Sequence, residues 1–274
     1  MPIHKTYGWV PDLPDQRDHL YSVPTPFVAK LPTKKDLRSQ CPPVYDQGQL
    51  GSCTGNAIAA AIQFDQKLQK MATFNPSRLF IYYNERAMEG TINSDSGAMI
   101  RDGIKCVGDQ GVCPETEWPY QINQFTQKPS PQCYKDASLC KAVSYQRLIS
   151  TNINQLKGCI ASGFPFVFGF SVYESFEGED VAKSGELGMP ASSEKLMGGH
   201  AVLAVGYDDA TQRFTVRNSW GKDWGMKGYF TIPYAYLTNT NLADDFWTIR
   251  ILGQDSAPKK KVVKKAAKKK AAKK

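Results

Sequence analysis

Apolar residues recur at three- and four-residue steps just after Cys53. Ile58, Ala61, Ile62 and Leu68 mark one face, with Asp65 on the same spacing, in an alanine-rich stretch. That period belongs to a buried helix with Cys53 at its mouth. A second helix is expected over 76–88, capped by Asn75 or Ser77, and a third over 97–107 before the glycines at 108 and 111. From residue 164 the texture changes, and runs rich in Val, Phe and Tyr over 166–172, 201–207, 213–218 and 229–232 predict strands. The stretch 173–197 is polar, contains glycines and has no period, so it is expected to be a long loop on the rim of the strand-rich half. Helices first and strands later predict an α+β protein whose halves face each other.

The ends differ from this body. Residues 1–32 are rich in proline and charge, as in Trp9-Val-Pro-Asp-Leu-Pro-Asp-Gln-Arg-Asp18, and have no helical period. They read as an extended leader that must lean on something else. The body is expected over 33–252, with a helical part at about 50–160 and a β part at about 161–252. Residues 253–274 form a lysine-rich tail expected to be disordered. The formal net charge is +8, but the last sixteen residues hold ten lysines and no acid, which leaves −2 for the remainder. The basic balance belongs to the tail.

No run of about eighteen apolar residues is long enough to span a bilayer, and the N-terminus lacks a secretory h-region. The expectation is an intracellular chain, cytoplasmic or nuclear, with no membrane partner and no secretion by a signal peptide. Such a compartment keeps most of the seven cysteines reduced. Zinc ligands come in pairs about two to four residues apart, whereas Cys106 and Cys113, and Cys133 and Cys140, are each separated by six residues. No metal and no cofactor are expected.

Three histidines occur: His4 and His19 in the leader, and His200 beside a predicted strand. The strands 201–207 and 213–218 are joined by a turn-rich connection over 208–212 and read as a hairpin. If it is centred near residue 209 without a bulge, His200 faces Asn218 on the neighbouring strand. A histidine and a residue that could orient it are thereby expected within reach.

The segments Gln47-Gly-Gln-Leu-Gly-Ser-Cys-Thr54, Gly199-His-Ala201, Asn218-Ser-Trp-Gly-Lys-Asp-Trp-Gly225 and Gly228-Tyr229, in this order, resemble the papain-like cysteine peptidases. The resemblance covers about residues 31–252 and implies a mainly helical lobe and a mainly antiparallel β lobe with the active-site cleft between them. It implies a cysteine endopeptidase of the cathepsin-like kind that hydrolyses protein or peptide substrates through a thiolate–imidazolium pair and a thioester acyl-enzyme. In it Cys53 is the nucleophile, His200 the acid and base, and Asn218 the orienter of His200. Gln47, with the Cys53 amide, donates to the oxyanion, and Trp220 shields the His200–Asn218 hydrogen bond from water. A thiol at a helix N-terminus beside an imidazolium is expected to have its pKa lowered, which is why this chemistry wants a cysteine in that position. Residues 77–86 and 95–102 look like a short-leader branch found in prokaryotes and large viruses. By that likeness Gly97 lines the cleft, and Ala98, Met99 and Ala201 shape an apolar pocket for the substrate residue two positions before the cut.

Some positions depart from the family pattern. Leu50 stands where a half-cystine is usual, Thr54 where an aromatic is, and Gly199 where a polar residue often precedes the histidine. The long helical prosegment of lysosomal relatives is not expected here. The short leader is instead expected to cross or border the cleft, because Trp9 and its prolines favour an extended groove-binding conformation. The tail can neutralise phosphates through counterion release without reading bases, which makes non-specific nucleic acid a partner and a virion-associated protein one setting. It equally suits nuclear import or a plain solubilising tail. Two other functions fit the same residues: a catalytically silent papain-like body whose tail packages nucleic acid, and a transpeptidase using the same thiol.

Overall fold

Cys53 is the first residue of a sixteen-residue helix, α1 (Cys53–Leu68), in the computed structural model, which describes residues 6–26, 30–141 and 144–251. His4 and the lysine-rich tail, with the nucleic-acid reading that rests on it, lie outside the described residues. Every residue of α1 from Cys53 to Gln66 is buried, so it is covered on all sides, and its run of alanines lets neighbours approach closely. A Cβ on Gly55 would lie 2.8 Å from the carbonyl oxygen of Arg78, so the glycine permits the close packing of α2 (Arg78–Glu89). Ser77 caps α2, its hydroxyl accepting from the amide of Phe80 at 3.1 Å. The third helix, α3 (Ile100–Gln110), starts three residues later than the pattern predicts and runs through Gly108 to stop at Gly111. Two shorter helices follow, α4 (Pro131–Ala137) and α5 (Ile153–Ala161).

Two short strands, β1 (Trp9–Val10) and β3 (Ala98–Met99), pair in parallel. The main sheet runs in the order β4 (Ser144–Arg147), β9 (Ala243–Arg250), β5 (Phe166–Tyr173), β6 (Leu196–Asp208), β7 (Arg213–Arg217) and β8 (Tyr229–Pro233). All its pairs are antiparallel, and β2 (Lys34–Asp36) also pairs with β6. Helices and an antiparallel sheet thus make the α+β architecture expected from the sequence. The part expected to be helical also contributes β4, whose Ser-Tyr-Gln-Arg sequence carries no apolar run. The stretch 173–197, expected to be a loop, holds α6 (Glu174–Glu177) and α7 (Glu179–Ser184), anchored by the buried Phe176, and β6 already begins at Leu196.

The hairpin register also differs from expectation. Asp208 pairs with Arg213 and Gly206 with Thr215, and after a bulge Ala204 pairs with Val216 and Leu203 with Arg217. Asn218 therefore lies beyond the paired end of β7 and not opposite His200. The four-residue connection, with Gln212 at φ 53°, and the bulge move the register that an unbulged hairpin would have had.

The leader is fastened along the body by main chain and charge. Tyr21 donates its amide to the carbonyl of Arg147 at 2.8 Å, and Arg147 donates to that of His19 at 2.8 Å. Asp18 forms an ion pair with Arg101 at 2.5 Å, both side chains almost fully buried, and another with Arg147 at 3.2 Å. Asp12 accepts from the Arg101 amide at 3.0 Å in the first turn of α3, and from Trp247 Nε1 at 2.9 Å. A carboxylate there satisfies a helix-end amide that α3 itself leaves uncapped. Among the described residues, no helix is long and apolar enough to cross a membrane.

Candidate active site

Two loops meet over the mouth of α1. Gln47 donates its amide to the carbonyl of Ser219 at 2.8 Å, and Gly221 donates to that of Tyr45 at 2.9 Å, so the segments around Asp46 and Trp220 form a small ladder. This ladder turns Asn218 back toward β6, where its Oδ1 lies 2.8 Å from His200 Nε2. The same oxygen accepts from the Ser219 amide at 2.8 Å. The contact expected from the sequence is present although the register that predicted it is not. Gln47 is oriented from both ends: its Oε1 accepts from Ser219 Oγ at 2.6 Å, and its Nε2 donates to Leu50 O at 3.0 Å and Thr6 O at 3.2 Å. Aromatic rings surround the imidazole. Trp220 stands 5.1 Å from it, Phe170 at 5.9 Å, Tyr7 at 6.1 Å and Phe176 at 6.3 Å, centroid to centroid.

Cys53, His200 and Gln47 have no solvent exposure and Asn218 has 2%. The cover is the leader. Gly8 donates its amide to Gly199 O at 3.2 Å and accepts from the Ala98 amide at 2.8 Å. Gly97, expected to line the cleft, is left-handed at φ 74°, and a Cβ on it would lie 2.3 Å from Gly8 O. Tyr7 lies tilted against Trp220, with ring centroids 6.2 Å apart, and donates its hydroxyl to Glu177 Oε1. Trp9 lies over Gly169 and Gly199 and donates Nε1 to Asp245 Oδ2 at 2.9 Å.

This cover reverses the electrostatics expected for the thiol. Burial pushes Cys53 up to about 12, and the neighbouring backbone amides of Ala201 and Gly8 offset only part of that rise. The lowered pKa expected from the helix terminus is therefore not a property of the leader-covered state, because water is excluded from the sulfur. Below the thiol, Thr54 donates its hydroxyl to Glu85 Oε2 at 2.7 Å, and burial raises the Glu85 carboxyl to about 8.

The other predicted positions gather around the same place. Ala98 is buried and Met99 half-buried on β3, and Ala201 on β6 pairs with Gly169 of β5. The apolar walls expected of the pocket are joined by a carboxylate, Asp245. Sequence reasoning gave no role to Ser219, although it stands inside the quoted motif, nor to Thr6, Tyr7, Glu177 and Asp245. Asp245 offered no signal beyond being one of two adjacent acids before Phe246. All seven cysteines are unbridged. Among the described residues, Cys113, Glu117 and Cys133 are the one group whose potential metal-ligating atoms lie within 4.8 Å of one another. It joins one cysteine from each of the sequence pairs Cys106/Cys113 and Cys133/Cys140.

A helical part and an antiparallel sheet, with a cysteine at a helix mouth and a histidine bonded to an asparagine, define a thiol peptidase of the papain type. The model of the papain family of cysteine proteases matches residues 31–247, and the chain belongs to that family. It is 44% identical over 272 residues to an uncharacterised peptidase C1-like protein of Acanthamoeba polyphaga mimivirus, covering 90% of this chain and 88% of that protein. Xylellain, a cysteine protease from Xylella fastidiosa of known crystal structure, superposes with a TM-score of 0.86 at 50% identity, over 91% of this chain and 97% of that one. The thiol protease aleurain of Arabidopsis thaliana is 32% identical over 219 residues, which is 74% of this chain but 56% of that protein. The protein is a hydrolase whose substrates are proteins or peptides.

Proposed function

We propose that the chain cleaves peptide bonds with Cys53 as nucleophile, His200 as acid and base, Asn218 as the group that orients His200, and Gln47 as a donor to the oxyanion. With Nε2 of His200 engaged by Asn218, Nδ1 is the nitrogen that exchanges a proton with the thiol. The thiolate attacks the scissile carbonyl carbon, and the oxyanion takes hydrogen bonds from Gln47 Nε2 and the Cys53 amide. Collapse expels the amine, which His200 protonates. Water, deprotonated by His200, then splits the thioester and returns the thiol. The rings around His200 hold its plane and keep water from the bond to Asn218.

The observation that carries this reading is the carbonyl of Thr6, which accepts from Gln47 Nε2 as a scissile carbonyl would. It supports a second element of the proposal: the leader holds the enzyme closed, and its departure rehydrates Cys53 and lets the thiol ionise. Labelling with an epoxide or fluoromethylketone inhibitor tests the reading, comparing the native chain with Cys53→Ala and analysing products from a peptide library. Cys53-dependent labelling and cleavage are expected. Their absence overturns the assignment.

A further inference from the structure

Cys113, Glu117 and Cys133 take no part in the proposed mechanism, yet the fold brings them to one point. Their two sulfurs and a carboxylate oxygen all lie within 4.8 Å of one another. Cys113 and Glu117 sit on the loop after α3, which is clamped to the cap of α2: Ser77 donates its amide to Cys113 O at 2.9 Å and its hydroxyl to Trp118 O at 2.7 Å. Between these clamps the Glu117 amide donates to Pro114 O at 3.0 Å, closing a turn that brings Glu117 back beside Cys113. Cys133 comes from the other side, in the first turn of α4. Ser130 caps that helix and accepts from the Cys133 amide at 3.3 Å, with its Oγ 3.2 Å from the sulfur, and Cys133 Sγ donates to Glu117 O at 3.8 Å. The far end of α4 is seated where Gly111 has no side chain, since a Cβ there would lie 1.8 Å from Ala137 O.

Both cysteines are buried, whereas Glu117 is exposed and stands at the solvent edge. The charges that can form at this point are all of one sign. Burial, then the neighbouring Cys133 and Glu117, push the Cys113 thiol up, and partial desolvation, then Asp136 beside it, raise the Glu117 carboxyl. Among the described residues no basic group acts on Glu117 to offset this. A divalent cation satisfies all three ligands together: it takes the place of the two thiol protons, which pass to solvent, and neutralises thiolates and carboxylate. Sulfur and oxygen ligands of one tetrahedral zinc stand about 3.5–3.8 Å apart, so closing around an ion takes a side-chain adjustment of about 1 Å. Two neighbouring thiols alone would suit a disulfide equally well. The carboxylate that completes the triangle, and the negative charge with no counterpart, favour an ion.

We infer that Cys113, Glu117 and Cys133 form a binding site for a thiophilic divalent cation of the zinc type, with water in the fourth position. Thiolate ligands select such an ion over magnesium or calcium. The ion staples the loop after α3 to α4, a structural role. Because its ligands come from two separate segments, the gaps within each sequence pair of cysteines do not bear on it, and the absence of a metal expected from the sequence is set aside.

The test uses the full-length chain as Cys53→Ala, which removes the nucleophile as a competing zinc ligand and makes the outcome independent of the peptidase reading. Reduced protein is titrated with zinc against a chromophoric chelator. About one equivalent is expected to bind. Cys133→Ser is expected to weaken binding at least about 100-fold and Glu117→Gln about tenfold, while Cys140→Ser leaves it unchanged. Zinc is also expected to raise the Tm of the parent by several degrees and that of Cys133→Ser by less. Glu117 is exposed, so its variant reads the site even if Cys133→Ser, at a buried position, disturbs the fold. No stoichiometric binding, or an affinity unchanged in either variant, overturns the inference. So does a Cys113–Cys133 disulfide whose reduction yields a chain that takes up no zinc.

Discussion

The side-chain amide of Gln47 donates to the backbone carbonyl of Thr6 at 3.2 Å, so the proposed oxyanion donor is engaged by the protein's own leader. The leader can pass this closely because residue 8 has no side chain: a Cβ on Gly8 would lie 1.7 Å from the carbonyl oxygen of Gly51. That obstacle is backbone and cannot rotate away. Gly8→Ala is therefore expected to unseat the leader from the cleft and to raise the initial rate of inhibitor labelling and peptide hydrolysis by about tenfold. Equal initial rates for the two proteins would show that the leader does not limit access.

Much of the centre of this arrangement is legible along the chain, because helix α1, Cys53, Gln47 and the segment from Asn218 to Gly225 each carry local pattern. What joins them is not. Asp12 and Asp245 act together across 233 positions, and a contact of that span leaves no trace in local periodicity. His200 and Asn218 illustrate the point from the other side. Simple pairing arithmetic brings them together, yet they meet because the ladder from Tyr45 to Gln47 pulls the loop after β7 back over the helix mouth. Short elements such as β4, α6 and α7 escape notice for a related reason, since their tertiary partners, and not any apolar period, hold them in place.

Gln47 and Ser219 separate the oxyanion donor from the residue that aims it. Gln47→Ala is expected to lower kcat about 10²–10³-fold with a smaller change in KM, as loss of a donor used in the transition state does. Ser219→Ala removes the 2.6 Å hydrogen bond to Gln47 Oε1 and is expected to lower kcat by about tenfold. In the Gln47→Ala background, Ser219→Ala should then add little. Steady-state kinetics of the single and double variants read this directly, and fully multiplicative losses would remove the coupling.

The leader's hold should depend on pH. Burial, with the charge of Asp12 alongside, raises the Asp245 carboxyl to about 7, and burial raises Asp12 as well. Arg101, Arg147 and Asp244 are the other charged groups facing this pair. A raised folded-state pKa means stability that is complete below the ordinary carboxylate range and lost as pH rises through about 7. The latch is thus expected to loosen from pH 5 to pH 8. Proteolytic nicking after the exposed Arg17 should speed up over that interval in the native chain and less so in Asp245→Asn, measured with the protease activity normalised at each pH.

Glu85 predicts a second pH effect, in the body and independent of the leader. It is wholly buried, its Oε2 accepts from Thr54, and its Oε1 lies against Gly103 without a hydrogen-bond partner among the described residues. Burial, reinforced by Glu89, raises its carboxyl to about 8, with the Thr54 hydroxyl and Arg86 opposing. The folded state therefore holds this proton, and the associated stability is present in full below about pH 4.5 and lost as pH rises through about 8. Glu85→Gln keeps an acceptor for Thr54 and carries no charge at any pH. At pH 5 its Tm should lie close to that of the native protein, and at pH 8.5 above it by several degrees, since about 1 kcal/mol moves a domain of this size by about 2–4 °C. Thermal unfolding of Cys53→Ala forms of both proteins, which avoids self-digestion, makes the comparison. A difference in Tm that stays constant between the two pH values would place the proton elsewhere.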